Sequence, residues 1–148
     1  MIFQRVNRTD PERVFVVMRN NEGAAMIKDQ TCQLELASAS VDGVRVRDMD
    51  TGNLHAFIGI VDAAIADGAY GLVQVYGYRS TSVVLTTDTS IDTGVALVPV
   101  AGQDYLVSSA TVLTSTANYT RSPIVAFLCE SITTSTASVT RKIFIRSM

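Results

Sequence analysis

Hydrophobic and polar residues alternate along this chain with a period of two. Val14-Phe15-Val16-Val17-Met18 is a β-branched and aromatic run that follows the break at Asp10-Pro11. Asn20-Asn21-Glu22-Gly23 then reads as a turn, since Asn and Gly adopt the backbone conformations a reversal needs. Gln33-Leu34-Glu35-Leu36 alternates cleanly, as does Val44-Arg45-Val46-Arg47 after the turn Asp42-Gly43. Leu54 to Val61 predicts a strand with Leu54, Ala56, Ile58 and Ile60 on one face. Further strands are expected at 70–77, 82–86, 95–100, 104–107, 110–114, 124–130 and 142–146. Asp62 to Ala66 has the composition of a helical turn but is too short to stand as a helix.

About ten short strands separated by Gly, Asp, Asn and Ser/Thr turns predict an all-β fold, either a small β-barrel or a β-sandwich. The Ser/Thr-rich stretches 80–90, 108–122 and 131–140 fit solvent-facing strand positions, where Thr is favoured. No repeat of fixed period and no strong boundary divides the chain, so residues 1–148 are expected to form one β-domain. Its ends have two readings. Residues 1–12 and 140–148 are either extended terminal arms or the first and last strands of the domain.

The stretch "GAYGLVQVYGY", residues 68–78, sharpens the picture. Alternation puts Val73 and Val75 on one face, flanked by Gly71 and Gly77, and Tyr70, Leu72, Gln74, Tyr76 and Tyr78 on the other. A phosphate loop needs glycines that open a helix, with a Lys and a hydroxyl after them; here the glycines flank a strand and no Lys follows. Gly inside a strand marks a bulge, a tight bend or the close approach of another backbone. The tyrosine face either covers the end of the barrel or forms an interface, where Tyr offers a large contact area with a polar tip.

Composition and charge then remove several function classes. Apolar residues make up 47% of the chain, ample for a core. No apolar run reaches the length that spans a membrane. Charges and a proline interrupt "MIFQRVNRTDPERV" before a secretion signal forms, so a soluble protein is expected. Cys32 and Cys129 could pair, but in a reducing compartment they are expected to be reduced core thiols. The net charge of −2 is no match for nucleic acid. Ser80 to Thr120 contains no Lys or Arg, whereas Arg5, Arg8 and Arg13 lie near the start and Arg141, Lys142 and Arg146 near the finish. Basic ends of this kind are either solvated or dock on an acidic partner.

The candidate chemistry is thin. His55 is the sole histidine, which excludes metal clusters built on several, and its parity in the strand turns it to solvent or an interface. Asp48-Met49-Asp50-Thr51-Gly52-Asn53 has the flavour of a calcium loop, but its glycine comes one position early and the distal Glu is missing. A turn rich in Asp and Gly explains it better. A hydrolase using Asp48, Asp50 or Asp92 as a carboxylate pair would need a positioned partner, which no motif supplies. No catalytic residue, metal or cofactor is therefore expected.

Four stretches together resemble a group of small tailed-phage virion proteins. They are Val14–Val17 leading into "RNNEGAAMIKDQTCQLELA", then "VDGVRV", "LHAFIGIVDAAIADGAYGLVQVYGYRSTSVVL" and "TDTSIDTGVALVPVAGQDYLVSS". The similarity covers roughly residues 14–110 and is most specific over 59–78. It is a likeness in strand pattern and glycine placement to capsid decoration, or cement, proteins built on a small β-barrel. The resemblance implies a non-enzymatic structural protein, made in the host cytoplasm, that sits on the capsid surface of a virion. Its implied partners are the major capsid protein and other copies of itself, in a symmetric cluster such as a trimer. On that reading Tyr76, Tyr78 and Arg79, with terminal Arg5, Arg8, Arg141 and Lys142, are the contact candidates, and Tyr70 joins them on the tyrosine face. A receptor- or glycan-binding module of a tail or head fibre is the alternative, with Tyr70, Tyr76 and Tyr78 stacking on sugar rings.

Overall fold

A computed structural model describes residues 11–36, 42–50, 52–85, 90–109, 123–133 and 138–147. The fold is all-β. In chain order the strands are β1 (Arg13–Asn20), β2 (Thr31–Leu34), β3 (Arg45–Arg47), β4 (Phe57–Val61), β5 (Tyr70–Leu85), β6 (Ser90–Ile91), β7 (Ala96–Pro99), β8 (Leu106–Ser108), β9 (Ala126–Leu128), β10 (Ile132–Thr133) and β11 (Ser138–Arg146). A 3-10 turn at Leu54–Ala56 leads into β4.

Nine of these strands form one hydrogen-bonded network, and β6 pairs separately with β10. The network is neither a single barrel nor a two-sheet sandwich. It contains two closed circuits that share β5. The first runs β1-β3-β2-β4-β5 and returns to β1; the second runs β5-β11-β9-β7-β8 and returns to β5. Closure removes free edges along most of each ring. Each ring has its own core. Met18, Met26, Val46, Val61, Val73 and Val75 are among the side chains that fill the first. Ile60, Val84, Leu97, Leu106, Ile143 and Ile145 are among those that fill the second. Each such aliphatic side chain contributes on the order of 1.5–3 kcal/mol on burial.

Strand β5 can serve both rings because it is long and bulged. It has 16 residues, where the sequence pattern predicts two strands at 70–77 and 82–86. Against β1, Val14 faces Tyr76 and Phe15 faces Gln74, so Val75 is an extra residue. Against β11, Arg141 faces Ser82 and Ile143 faces Arg79, so Ser80 and Thr81 together oppose Lys142. A bulge of this kind reverses which side chains point inward. Val73 and Val75 fill the first ring, and Val84, after the second bulge, fills the other.

Gly77 sits between the bulges with φ +97°, and a Cβ built there would lie 1.9 Å from the carbonyl oxygen of Glu12. This is the close backbone approach that the glycine placement anticipates.

Several local expectations are corrected. Leu54 to Val61 is not one strand, because the 3-10 turn and a bulge at Ile58, opposite the Cys32–Gln33 step of β2, shift the phase of β4. Ile58 is half-buried, while Ile60 and Val61 are both buried, one in each core. Asp62 to Ala66 is a bend rather than a helical turn, and Ile65 bridges to Met26. Of the two readings of the C-terminal segment, the last strand is the one observed: β11 pairs with β5 on one side and β9 on the other. Ser147 then fastens it: its hydroxyl lies 2.8 Å from the Ile58 carbonyl oxygen and its N–H donates to Val75. Residues 1–10 of the N-terminal segment expected at 1–12, and the whole strand expected at 110–114, lie outside the described residues. No helix among the described residues is long and apolar enough to cross a membrane.

Candidate functional site

The outward face of the β1/β5 pair carries the feature that a folded monomer leaves uncovered. Antiparallel pairing places Val17 opposite Leu72 and Arg19 opposite Tyr70. Directly opposed residues point to the same side of a sheet. Val17 is 59% exposed, Leu72 46% and Tyr70 65%, so together they form a contiguous apolar patch. Val14 and Val16, of the other parity, pack against the first core. A cross-strand apolar cluster facing water is unusual, whereas scattered exposed aliphatic residues are not.

A buried polar cluster centres on Arg79. The sequence reading places Arg79 at a contact surface, and the structure corrects this: the residue is 4% exposed. Its place past the bulge at Val75 explains the burial: Arg79 lies directly opposite Ile143, and Gly77 opposite Ile145, and both isoleucines fill the second core. Nε donates to Asp29 Oδ1 at 3.0 Å and to the Thr81 carbonyl at 3.1 Å. Nη1 donates to Gln74 Oε1 at 3.1 Å and to Asp62 Oδ1 at 3.2 Å. Nη2 donates to Asp29 Oδ1 at 2.5 Å and to the Val61 carbonyl at 3.0 Å. Gln74, fully buried, passes the network on by donating to the carbonyls of Tyr76 and Tyr78. Thr81, in the bulge, donates to Asp29 as well. A guanidinium with a fixed fork of donors suits this task, and a lysine would not reach the same partners. The cluster joins the end of β4, the loop before β2 and both sides of the β5 bulge. It is a clamp that fixes the shared strand. Neither Asp29 nor Asp62 nor Gln74 stands out in the sequence as part of such a site.

The tyrosines do not form one platform. Tyr70 is outward, but Tyr76 is half-buried and meets Phe144 of β11 edge-on, with ring centroids 5.2 Å apart and planes at 83°. Tyr78 is half-buried and pairs in register with Phe144. Arg141 and Lys142 both lie on β11, in the second ring. Lys142 is exposed, 4.0 Å from Glu130. Arg5 and Arg8 lie outside the described residues. His55 is exposed on the 3-10 turn.

A second polar group sits where loops of the two rings meet. The Gly102 N–H donates to the Met49 carbonyl, and Thr31 Oγ1 donates to the Gln103 carbonyl at 3.0 Å. Beside them, the backbone N–H of Asp48 donates to Glu22 Oε2 at 2.9 Å, and its carboxylate accepts from Gln30 Nε2. Partial burial pushes the Asp48 carboxyl up to about 6, and the negative charges of Glu22 and Asp104 add to this against the opposing pull of Arg47. Asp50 uses its own backbone N–H to bond Gln33 Oε1 at 3.1 Å. No group of three or more His, Cys, Asp or Glu side chains among the described residues has the arrangement of a metal site.

Cys32 is buried in the first core and Cys129 is exposed, and both are free thiols. The expectation that both are core thiols therefore fails for Cys129. No protein-family model matches the chain, and no curated protein matches its sequence.

Proposed function

We propose that this chain is a non-enzymatic structural protein of a tailed-phage virion, which binds the outer surface of the assembled capsid and stabilises the shell. The observation that carries the reading is the exposed Val17–Leu72–Tyr70 face, mounted on a strand that both rings share and that a buried clamp holds rigid. A decoration protein needs such a face. Binding the assembled shell and not its free subunits stabilises assembly by mass action, and a preorganised face loses little entropy on docking. The capsid as the surface, and a symmetric cluster of copies such as a trimer, rest on the sequence resemblance.

Copy number in purified virions, by quantitative mass spectrometry against the major capsid protein, tests the reading. Hundreds of copies in a simple ratio to the capsid subunit support it. A handful would move the protein to a tail or fibre, and none would remove it from the virion. Val17→Asp and Leu72→Asp place charge on the docking face without entering a core. Both variants are expected to fold normally and to lose occupancy on shells.

A further inference from the structure

The apolar face continues into a strand edge that meets no backbone partner among the described residues. The N–H of Arg19 donates to the Val44 carbonyl, so this is the side of β1 on which β3 pairs. The β1–β3 ladder comprises Arg19 with Arg45 and Asn20 with Val46. Backbone groups alternate sides along a strand, so the N–H and C=O groups of Phe15 and Val17 point to the same side as those of Arg19. Among the described residues no backbone partner meets them there. Val17 is also one of the exposed side chains of the apolar face, and Phe15, half-buried, shares its parity. Among the described residues, this segment thus offers unpaired main-chain donors and acceptors beside an apolar surface.

We propose that the β1 edge from Arg13 to Val17 takes an extended segment of a partner protein as an added strand, with a carboxylate facing Arg13 and apolar residues facing Phe15 and Val17. Strand addition supplies main-chain hydrogen bonds for affinity and alternate side chains for specificity. Charge fixes the occupant. Arg13 is exposed at the open end of the edge and has no ion-pair partner among the described residues. A carboxylate directly across from it is favoured, and a like charge there is not. Residues 1–9 of the chain itself carry Arg5 and Arg8 and no carboxylate, the wrong sign. A second copy of β1 pairing antiparallel, with Phe15 opposite Val17, would bring Arg13 against Arg19 of its mate. At the other end Val44 takes over the pairing and stops the added strand. The motif is therefore short: acid, any residue, apolar, any residue, apolar. The inference rests on the reading of this face as a docking surface and assigns the chemistry of what docks.

The test is a titration of the full chain with the peptide acetyl-Glu-Thr-Val-Thr-Val-amide and its Lys-first counterpart, followed at the backbone amides by NMR. The Glu peptide is expected to shift the Phe15 and Val17 amides and to bind about fivefold more tightly than the Lys peptide, the ratio that exchanging one exposed ion pair for a repulsion gives. Arg13→Glu should invert the preference. Equal binding of both peptides, shifts confined to other strands, or no shift at millimolar peptide would overturn the proposal. So would concentration-dependent dimers that protect the same two amides. Loss of shell binding in Val17→Asp without any peptide effect would leave shell docking standing and remove strand addition alone.

Discussion

The guanidinium of Arg79 closes on the carboxylate of Asp29, fifty residues upstream, with Nε 3.0 Å and Nη2 2.5 Å from the same oxygen. Asp29 has φ +70°, the one positive value at a non-glycine position among the described residues. That conformation costs about 1–3 kcal/mol and persists only where the surroundings hold it. Here the Asp29 N–H donates to the Val61 carbonyl while Arg79 and Thr81 hold the carboxylate. The strained residue and the buried cation stabilise one another.

Removing either partner leaves a buried charge or donor set without compensation. Arg79→Ala is expected to lower unfolding stability by about 3–5 kcal/mol, read from urea denaturation midpoints. Arg79→Lys should recover little of this, because an ammonium cannot reach Gln74, Asp62 and the Thr81 carbonyl together. Full recovery by Lys would show that charge alone suffices and that the fork geometry is irrelevant.

Gly77 tests the shared strand from the other side. Any side chain there meets the Glu12 carbonyl, and φ +97° adds backbone strain of about 1–3 kcal/mol. Gly77→Ala should loosen β1 from β5. Amide exchange would report this as faster exchange at Val16, Met18 and Asn20, which face β5, with the Ile143 and Ile145 region of the second ring little changed. Uniform acceleration across both rings would mean that they unfold as one unit.

The alternation carried much of this fold, and its failures are local. Val73 and Val75 inward, Tyr70 and Leu72 outward, and the need for glycine at 77 all follow from the period and the turn chemistry. Simple parity would set Arg79 with Val73 and Val75, but the bulge at Val75 intervenes and turns Arg79 toward Ile143 of the second core. Gln74 has the parity of the outward tyrosines, yet is fully buried. It faces Ile60 across the β4–β5 pair, where the second ring covers the first. No local pattern encodes a second ring. The two circuits, the clamp on Asp29 and Asp62, and the meeting of Asp48 with loop 100–105 depend on contacts between segments distant in sequence.

Asp48 predicts an inverted pH dependence. Its carboxyl is raised from 3.8 to about 6 in the folded chain, first by burial and then by Glu22 and Asp104. The unfolded state therefore gives up this proton more readily than the folded state does. The stabilising effect of protonation is complete below about pH 4 and is lost as pH rises through 6. Over the window from 7 down to about 4, this residue makes the fold more stable on acidification, opposite to a paired carboxylate. Asp48→Asn should flatten that part of the pH profile of thermal unfolding and raise the midpoint at pH 7. A variant whose profile keeps the wild-type slope would assign the dependence to another group.

The two thiols separate the opening of the first ring from events at the surface. Cys129 is exposed, whereas Cys32 is sealed in the first core with its sulfur 3.5 Å from the Gly59 carbonyl. Burial pushes the Cys32 thiol far above its ordinary range, and a smaller rise at Cys129 comes from partial burial and then from Glu130. The thiolate is the reacting species. A disulfide-exchange reagent should therefore modify one cysteine of the native chain, Cys129, at a rate that climbs with pH. Cys32 should react only when the first ring opens, at a rate set by that opening. Gly77→Ala, which loosens β1, should accelerate labelling at Cys32 and leave Cys129 unchanged. Prompt labelling of Cys32 in the unaltered protein would mean that the first ring does not stay closed.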